Sequence, residues 1–168
     1  MSIINTVYID NINAQLEDCI TYLDNTFGNL SAFTNKSQEE LQAYVDNQAT
    51  IVSEQLNKKL NDVRGKIISV FSSQYQIALE KIEPIEALIN MSISLDTVVE
   101  AVKSIIKIMT APYQPIIEFT TEIIPKVLEL SNNLQKVATY QPKIDVPGIT
   151  PPQLTIEVEP ITAKDITG

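Results

Sequence analysis

The chain has 168 residues, of which 44% are apolar, and a formal charge of −9 with no histidine. This length suits about one domain, and the apolar fraction is that of a folded protein rather than a disordered one. Without histidine the chain lacks the commonest general base and the commonest metal ligand, so we expect no metal, cofactor or small-molecule substrate. Its net negative charge disfavours nucleic acid as a direct partner.

Signals for targeting and for redox chemistry are few. The first residues, MSIINTVYIDN, lack the positively charged start and the apolar run of a secretory signal. No stretch of about 18 uncharged apolar residues predicts a transmembrane helix. The single cysteine, Cys19, is predicted to be a small buried hydrophobic residue. Unless the chain belongs to a larger particle, these features predict a protein of the cytoplasm.

Residues 1–35 are predicted to form an N-terminal helix and a loop. The helical pattern runs from residue 4 to 30 and ends where Gly28 meets a cluster of Asn, Ser and Thr. Apolar residues recur at alternating three- and four-residue steps, interrupted once by Thr26, which is the pattern of a coiled-coil seam. The seam residues are Ile9, Ile12, Leu16, Cys19, Leu23 and Leu30.

Residues 36–83 are predicted to form one long central helix. Ser37 and Glu40 have the spacing of a capping box and precede the first apolar residue. The apolar steps of four, four and three give an eleven-residue repeat, which suits a straight or slightly right-handed helix. The repeat comprises Leu41, Val45, Ala49, Val52, Leu56, Leu60, Val63, Ile67, Phe71, Gln74, Ala78 and Ile82, of which Gln74 alone is polar.

Residues 84–140 are predicted to form proline-punctuated helices that pack on the central one. Pro84 suits a helix restart, and Asp96 suits the cap of a helix from residue 97 to 109. Pro115 opens a further helix to residue 139, in which Pro125 predicts a kink.

Residues 141–168 are predicted to form an extended arm with one short strand. Leu154, Ile156 and Val158 alternate with polar residues, and prolines flank them. Because no other segment reads as a strand, we expect the arm to be disordered in the isolated chain and to pair with the edge of another polypeptide. The predicted partner-binding residues are Leu154, Ile156, Val158, Pro151 and Pro152.

The predicted fold class is therefore all-α, an elongated helical rod or bundle with a long central helix and a proline-rich C-terminal arm. Such a rod leaves more apolar surface than one short bundle covers, which predicts a homo-oligomer or an obligate place in a larger complex. The predicted oligomer seam comprises Ile9, Ile12, Leu16, Leu23, Val63, Ile67 and Phe71.

The rod LQAYVDNQATIVSEQLNKKL and the arm YQPKIDVPGITPPQLTIEVEPIT together give the chain an organisation that resembles the small helical structural proteins of tailed bacteriophage virions. The resemblance implies a non-enzymatic assembly protein of the capsid, neck or tail. Such a protein oligomerises by helix packing and clamps neighbouring copies or other structural proteins with its arm.

Two alternatives remain open. The stretch from residue 98 to 130 resembles the helical hairpin of α-helical pore-forming toxins, but its recurring Glu and Lys residues are costly in hydrocarbon. An enzyme would have to use the carboxylate pairs Glu39/Glu40 or Glu157/Glu159. The first pair suits the start of a helix and the second suits the solvent face of a strand, and neither place indicates catalysis.

Overall fold

The computed structural model describes residues 6–80 and 116–168, and this part of the chain is mostly helical. Helix α1 spans Thr6–Gly28 and is followed by a 3-10 turn, Leu30–Ala32. Helix α2 spans Gln38–Glu80, helix α3 spans Ile124–Ala138, and the short helix α4 spans Ala163–Thr167. The predicted restart at Pro84 and the predicted helix at 97–109 lie outside the described residues.

Helix α2 confirms the prediction of a long central helix. It has 43 residues, or about 64 Å at 1.5 Å per residue. Its first turn is capped as expected, since the backbone N–H of Glu40 donates to Ser37 Oγ over 3.1 Å. The eleven-residue repeat marks the buried face. Every described member is buried except Gln74, which is half-buried, while Ile82 lies outside the described residues.

Directly before α3, where a kink is predicted at Pro125, the structure has a π-helical turn, Phe119–Ile123. The N–H of Ile124 bonds to the carbonyl of Phe119, five residues back. Pro125 has no N–H to donate to the carbonyl four residues back, and its ring would clash there in a regular helix. The wider turn accommodates both effects within a continuous helical run.

The described residues divide into two compact units. One holds residues 6–66 and 129–161, and the other holds residues 67–80, 116–128 and 162–168. In the second unit Phe119 is buried with its ring 5.3 Å from that of Tyr75. Thr162 and Asp165 form a capping box for α4, whose Ile166 is buried.

The larger unit is built on three helical stretches. The short connection between α1 and α2 makes them a helical hairpin, and Tyr22 donates to Gln55 across it over 3.1 Å. Helix α3 lies along α1, where Asn133 donates to Asn13 over 2.9 Å. The helices bury one shared set of apolar side chains: Ile12, Leu16, Cys19, Leu23, Phe27, Leu41, Val45, Val52, Leu56, Leu60, Val63, Leu130, Leu134 and Val137.

Two sequence predictions need correction here. Within the described residues there is no β-strand, so the predicted short strand is wrong as a regular element. The predicted oligomer seam is wrong for six of its seven residues, which are buried inside the single chain, and Ile9 is half-buried. The heptad-like pattern of α1 identified a true core face, but α2 and α3 of the same chain cover it.

Candidate functional site: a groove that binds the C-terminal segment

The most unusual feature of the larger unit is how it holds residues 148–161, here named the bound segment. These residues form neither helix nor strand, and they lie on α2 and α3 of their own chain. We name this surface the α2–α3 groove. Its polar residues are Gln38, Gln42, Ser53, Asn57, Asn61 and Arg64 from α2, with Ser131 and Gln135 from α3.

At the start of the groove, two glutamines of α2 bind the backbone of the segment. Gln38 Nε2 donates to the Gly148 carbonyl over 2.7 Å. Gln42 binds Thr150 at both backbone groups. Its Nε2 donates to the carbonyl over 3.1 Å, and its Oε1 accepts from the N–H over 2.8 Å. A side-chain amide can thus pair with an extended backbone as a neighbouring strand would.

In the middle of the groove, Asn57 is the main contact. Its Oδ1 accepts from the N–H of Glu157 and its Nδ2 donates to the carbonyl of Thr155, both over 2.7 Å. Ser53 Oγ accepts from the N–H of Thr155 over 3.0 Å, and Asn61 Nδ2 donates to the carbonyl of Glu157 over 3.0 Å. Both backbone groups of both segment residues are therefore satisfied.

At the far end, the segment lies between α2 and α3. Arg64 Nε donates to the carbonyl of Glu159 over 2.8 Å, and Gln135 Nε2 donates to the carbonyl of Val158. Ser131 is buried, and its Oγ accepts from the N–H of Ile161 over 2.8 Å. A buried N–H without such a partner would cost about 1–3 kcal/mol, so Ser131 is suited to this position.

The positions of these bonds show that the segment is extended and parallel to α2. From Gln42 to Arg64 the helix advances 22 residues, about 33 Å at 1.5 Å each. The bonded partners advance from Thr150 to Glu159, which at about 3.3 Å per residue is about 30 Å. Two extended residues match about one helical turn, which explains why Asn57 and Asn61 bind Thr155 and Glu157.

The apolar side of the segment faces the helices. Pro152, Leu154 and Ile156 are half-buried and Val158 is buried, whereas the residues between them are exposed. The alternation read from the sequence is thus present, and Glu157 and Glu159 lie on the solvent side as expected. The expectation that the segment needs another polypeptide is wrong, because side chains of α2 satisfy its backbone.

A tight turn leads into the groove. Gly148 has a φ of +85°, in the left-handed region that favours glycine. A Cβ placed there would lie 2.5 Å from Gln38 Nε2, the atom that binds the Gly148 carbonyl. The turn at Pro147–Gly148 therefore requires glycine both for its backbone conformation and for the close approach of Gln38.

Tyr140 links the chain directly after α3 to helix α1. Its hydroxyl donates to Asp24 Oδ1 of α1. Burial, and after it this hydrogen bond to a carboxylate, raise the pKa of the Tyr140 phenol well above its ordinary value. The phenol is therefore a neutral donor under all ordinary conditions.

The other residues singled out from the sequence have structural positions. Cys19 is buried as predicted, and burial is the main cause that raises the pKa of its thiol. Glu39 and Glu40 are exposed in the first turn of α2.

The polar residues of the groove were not recognised in the sequence, although a signal for them exists. Each α2 member except Gln38 directly follows a buried residue of the eleven-residue repeat: Leu41–Gln42, Val52–Ser53, Leu56–Asn57, Leu60–Asn61 and Val63–Arg64. A stripe of amide and hydroxyl side chains beside a core face can bind backbone, whereas a solvated face is usually charged.

No family model, curated protein or solved structure matches this chain. None of the described helices has the length and apolarity that crossing a membrane requires. In the described part of the chain, no group of three or more Cys, Asp or Glu side chains is placed to hold a metal ion.

Proposed function

We propose that this protein is a non-enzymatic structural protein that acts by assembling with copies of itself and, within a larger particle, with other structural proteins. The observation that supports this most is the α2–α3 groove, which binds an extended peptide along about 30 Å. The chain therefore contains both a peptide-binding groove and a peptide that fits it, which are the two components of a protein–protein interaction.

The chemistry of the groove suits recognition of a peptide. Four backbone N–H groups and seven carbonyls of residues 148–161 bond to side chains of α2 and α3. Each such bond contributes about 0.5–1.5 kcal/mol net. Backbone pairing with pockets for alternate side chains is also how sheet edges bind extended peptides.

The resemblance to small structural proteins of tailed bacteriophage virions supports a place for this assembly in a virion, as a component of the capsid, neck or tail. In that setting the proline-rich arm is the linking element. Prolines pre-set extended backbone, so the arm loses less conformational entropy when it is bound.

Light scattering on the purified protein, from about micromolar to about millimolar concentration, tests the assembly role, since this range spans the effective concentration of a tethered segment. We expect particles heavier than the 18.7 kDa chain to appear as concentration rises, and negative-stain images to show a defined assembly. A single species of 18.7 kDa at every concentration would contradict self-assembly.

A further inference from the structure

We propose that the α2–α3 groove also accepts residues 148–161 of a second copy of this chain, with the turn at residues 146–148 as the hinge. This inference rests on the proposed assembly role and names the contact through which it operates. The occupant is specified by the structure, because the groove already binds this peptide in a defined register.

The path of the chain supplies the hinge. Ser131 binds Ile161 and Gln135 binds Val158, so α3 runs opposite to the bound segment. Residues 138–142 share a shallow cavity with residues 151–154, so the end of α3 lies beside the middle of the arm. The chain therefore runs from α3 toward the start of α2, reverses at Pro147–Gly148, and returns along the groove.

Opening this reversal would break the contacts of the turn itself. Gly148 would leave its left-handed conformation, and the bond from Gln38 to the Gly148 carbonyl would be lost. The bonds made by Gln42, Asn57 and Ser131 would form again with the incoming segment, because both copies have the same sequence. Exchange of an identical element is a low-cost route to a dimer for this reason.

The connecting residues are long enough to reach a neighbour. Residues 141–147 form no regular secondary structure. Straightened, these seven residues would extend about 23 Å before the segment begins, with loss of the contacts that bury Pro142. Pro142 and Pro147 within this stretch, and Pro151 and Pro152 just after it, favour the extended form.

Effective concentration decides between the closed and the exchanged forms. A short tether holds its own segment at about millimolar effective concentration. The closed form is therefore favoured in dilute solution, and exchange is favoured where copies are crowded side by side. An assembly protein would in this way remain unlinked until it reaches its neighbours.

Cross-linking between two differently tagged copies tests the exchange. Thr50 and Thr155 are both exposed and line one small cavity between α2 and the bound segment. One copy carries Thr50→Cys and the other carries Thr155→Cys, both in a Cys19→Ala background. The copies are mixed at high concentration and treated with a short bismaleimide at that concentration.

Exchange predicts a covalent product that contains both tags. Its yield should exceed several-fold that of a matched control in which Thr21→Cys, exposed on α1, replaces Thr50→Cys. Adding Gly148→Ala to the Thr155→Cys copy should raise the yield further, because alanine disfavours the closed turn.

The exchange would be overturned if the two-tag product were no more abundant than in the Thr21→Cys control, both with and without Gly148→Ala. Circular dichroism on each variant confirms that it is folded, and light scattering is read on the same samples. Assembly without two-tag product would leave the assembly role standing and remove exchange. Absence of assembly at every concentration would remove both.

Discussion

Gly148 determines how the chain enters the groove, and its substitution gives the most local test. Gly148→Ala should lower the free energy of unfolding by about 1–2 kcal/mol, because alanine is disfavoured at positive φ. The new Cβ would also displace Gln38. Urea denaturation measures the loss.

Gly65→Ala is the matched control, since no described atom lies within 4 Å of a Cβ placed there. That change, in the middle of α2, should raise stability by about 0.5–1 kcal/mol. Equal stability of Gly148→Ala and wild type would show that the turn does not require glycine.

Tyr140 gives the fold a dependence on alkaline pH. Because its pKa is raised on folding, its contribution to stability is complete below the unfolded pKa of about 10 and declines as pH rises above that value. The free energy of unfolding should therefore fall more steeply above about pH 10 for wild type than for Tyr140→Phe. Urea denaturation at neutral and alkaline pH measures this difference, and parallel curves for the two proteins would contradict it.

At the scale of elements, the pairing of α2 with the bound segment rests on its amide side chains. Asn57→Ala removes two hydrogen bonds to the segment backbone. We expect it to lower the free energy of unfolding by about 1–3 kcal/mol. Asn57→Asp should act similarly, because it keeps the shape but loses the donor to the Thr155 carbonyl.

The control for Asn57 is Asn47→Ala, an exposed position on the same helix whose side chain makes no hydrogen bond with the described residues. Its stability should lie within about 0.5 kcal/mol of wild type. If Asn47→Ala and Asn57→Ala have the same stability, the hydrogen bonds of Asn57 do not hold the segment.

How far the sequence predicts these elements depends on the kind of signal. Periodicity located the buried face of α2 from Leu41 to Ala78, and alternation located the inward residues of the arm, because both patterns record burial. Neither pattern shows which surface covers the buried residues. Periodicity alone therefore predicts a partner for seam residues such as Leu16 and Ile67, although their own chain covers them.

The groove itself was missed for a different physical reason. Glutamine and asparagine on an exposed helix position usually bond to water, and the place of Asn57 directly after the buried Leu56 does not by itself show that a peptide lies there. The distinction comes from matching one helical turn to two extended residues, which requires knowing that the arm lies on α2.

For the whole molecule, the arm is part of the folded body rather than an appendage. Ile149, Val158 and Ile161 are buried. Deleting residues 142–168 should therefore lower the free energy of unfolding by at least about 3 kcal/mol, from the loss of apolar burial alone. Thermal unfolding followed by circular dichroism measures the change.

The combined change Glu157→Gln and Glu159→Gln is the control, because both side chains face solvent and their groove contacts are made by backbone atoms. Its unfolding temperature should match that of wild type. A truncated chain as stable as wild type would show that the arm contributes nothing to the core.

Amide hydrogen exchange across residues 148–161 tests most directly whether the segment is docked in its groove. Thr150, Thr155, Glu157 and Ile161 donate their N–H groups to α2 or α3 and should exchange slowly. Ile156, whose N–H makes no hydrogen bond with the described residues, should exchange faster, and Asn57→Ala should speed exchange at Glu157 most. Exchange of all these amides at the rate of an unstructured peptide would contradict the docked segment.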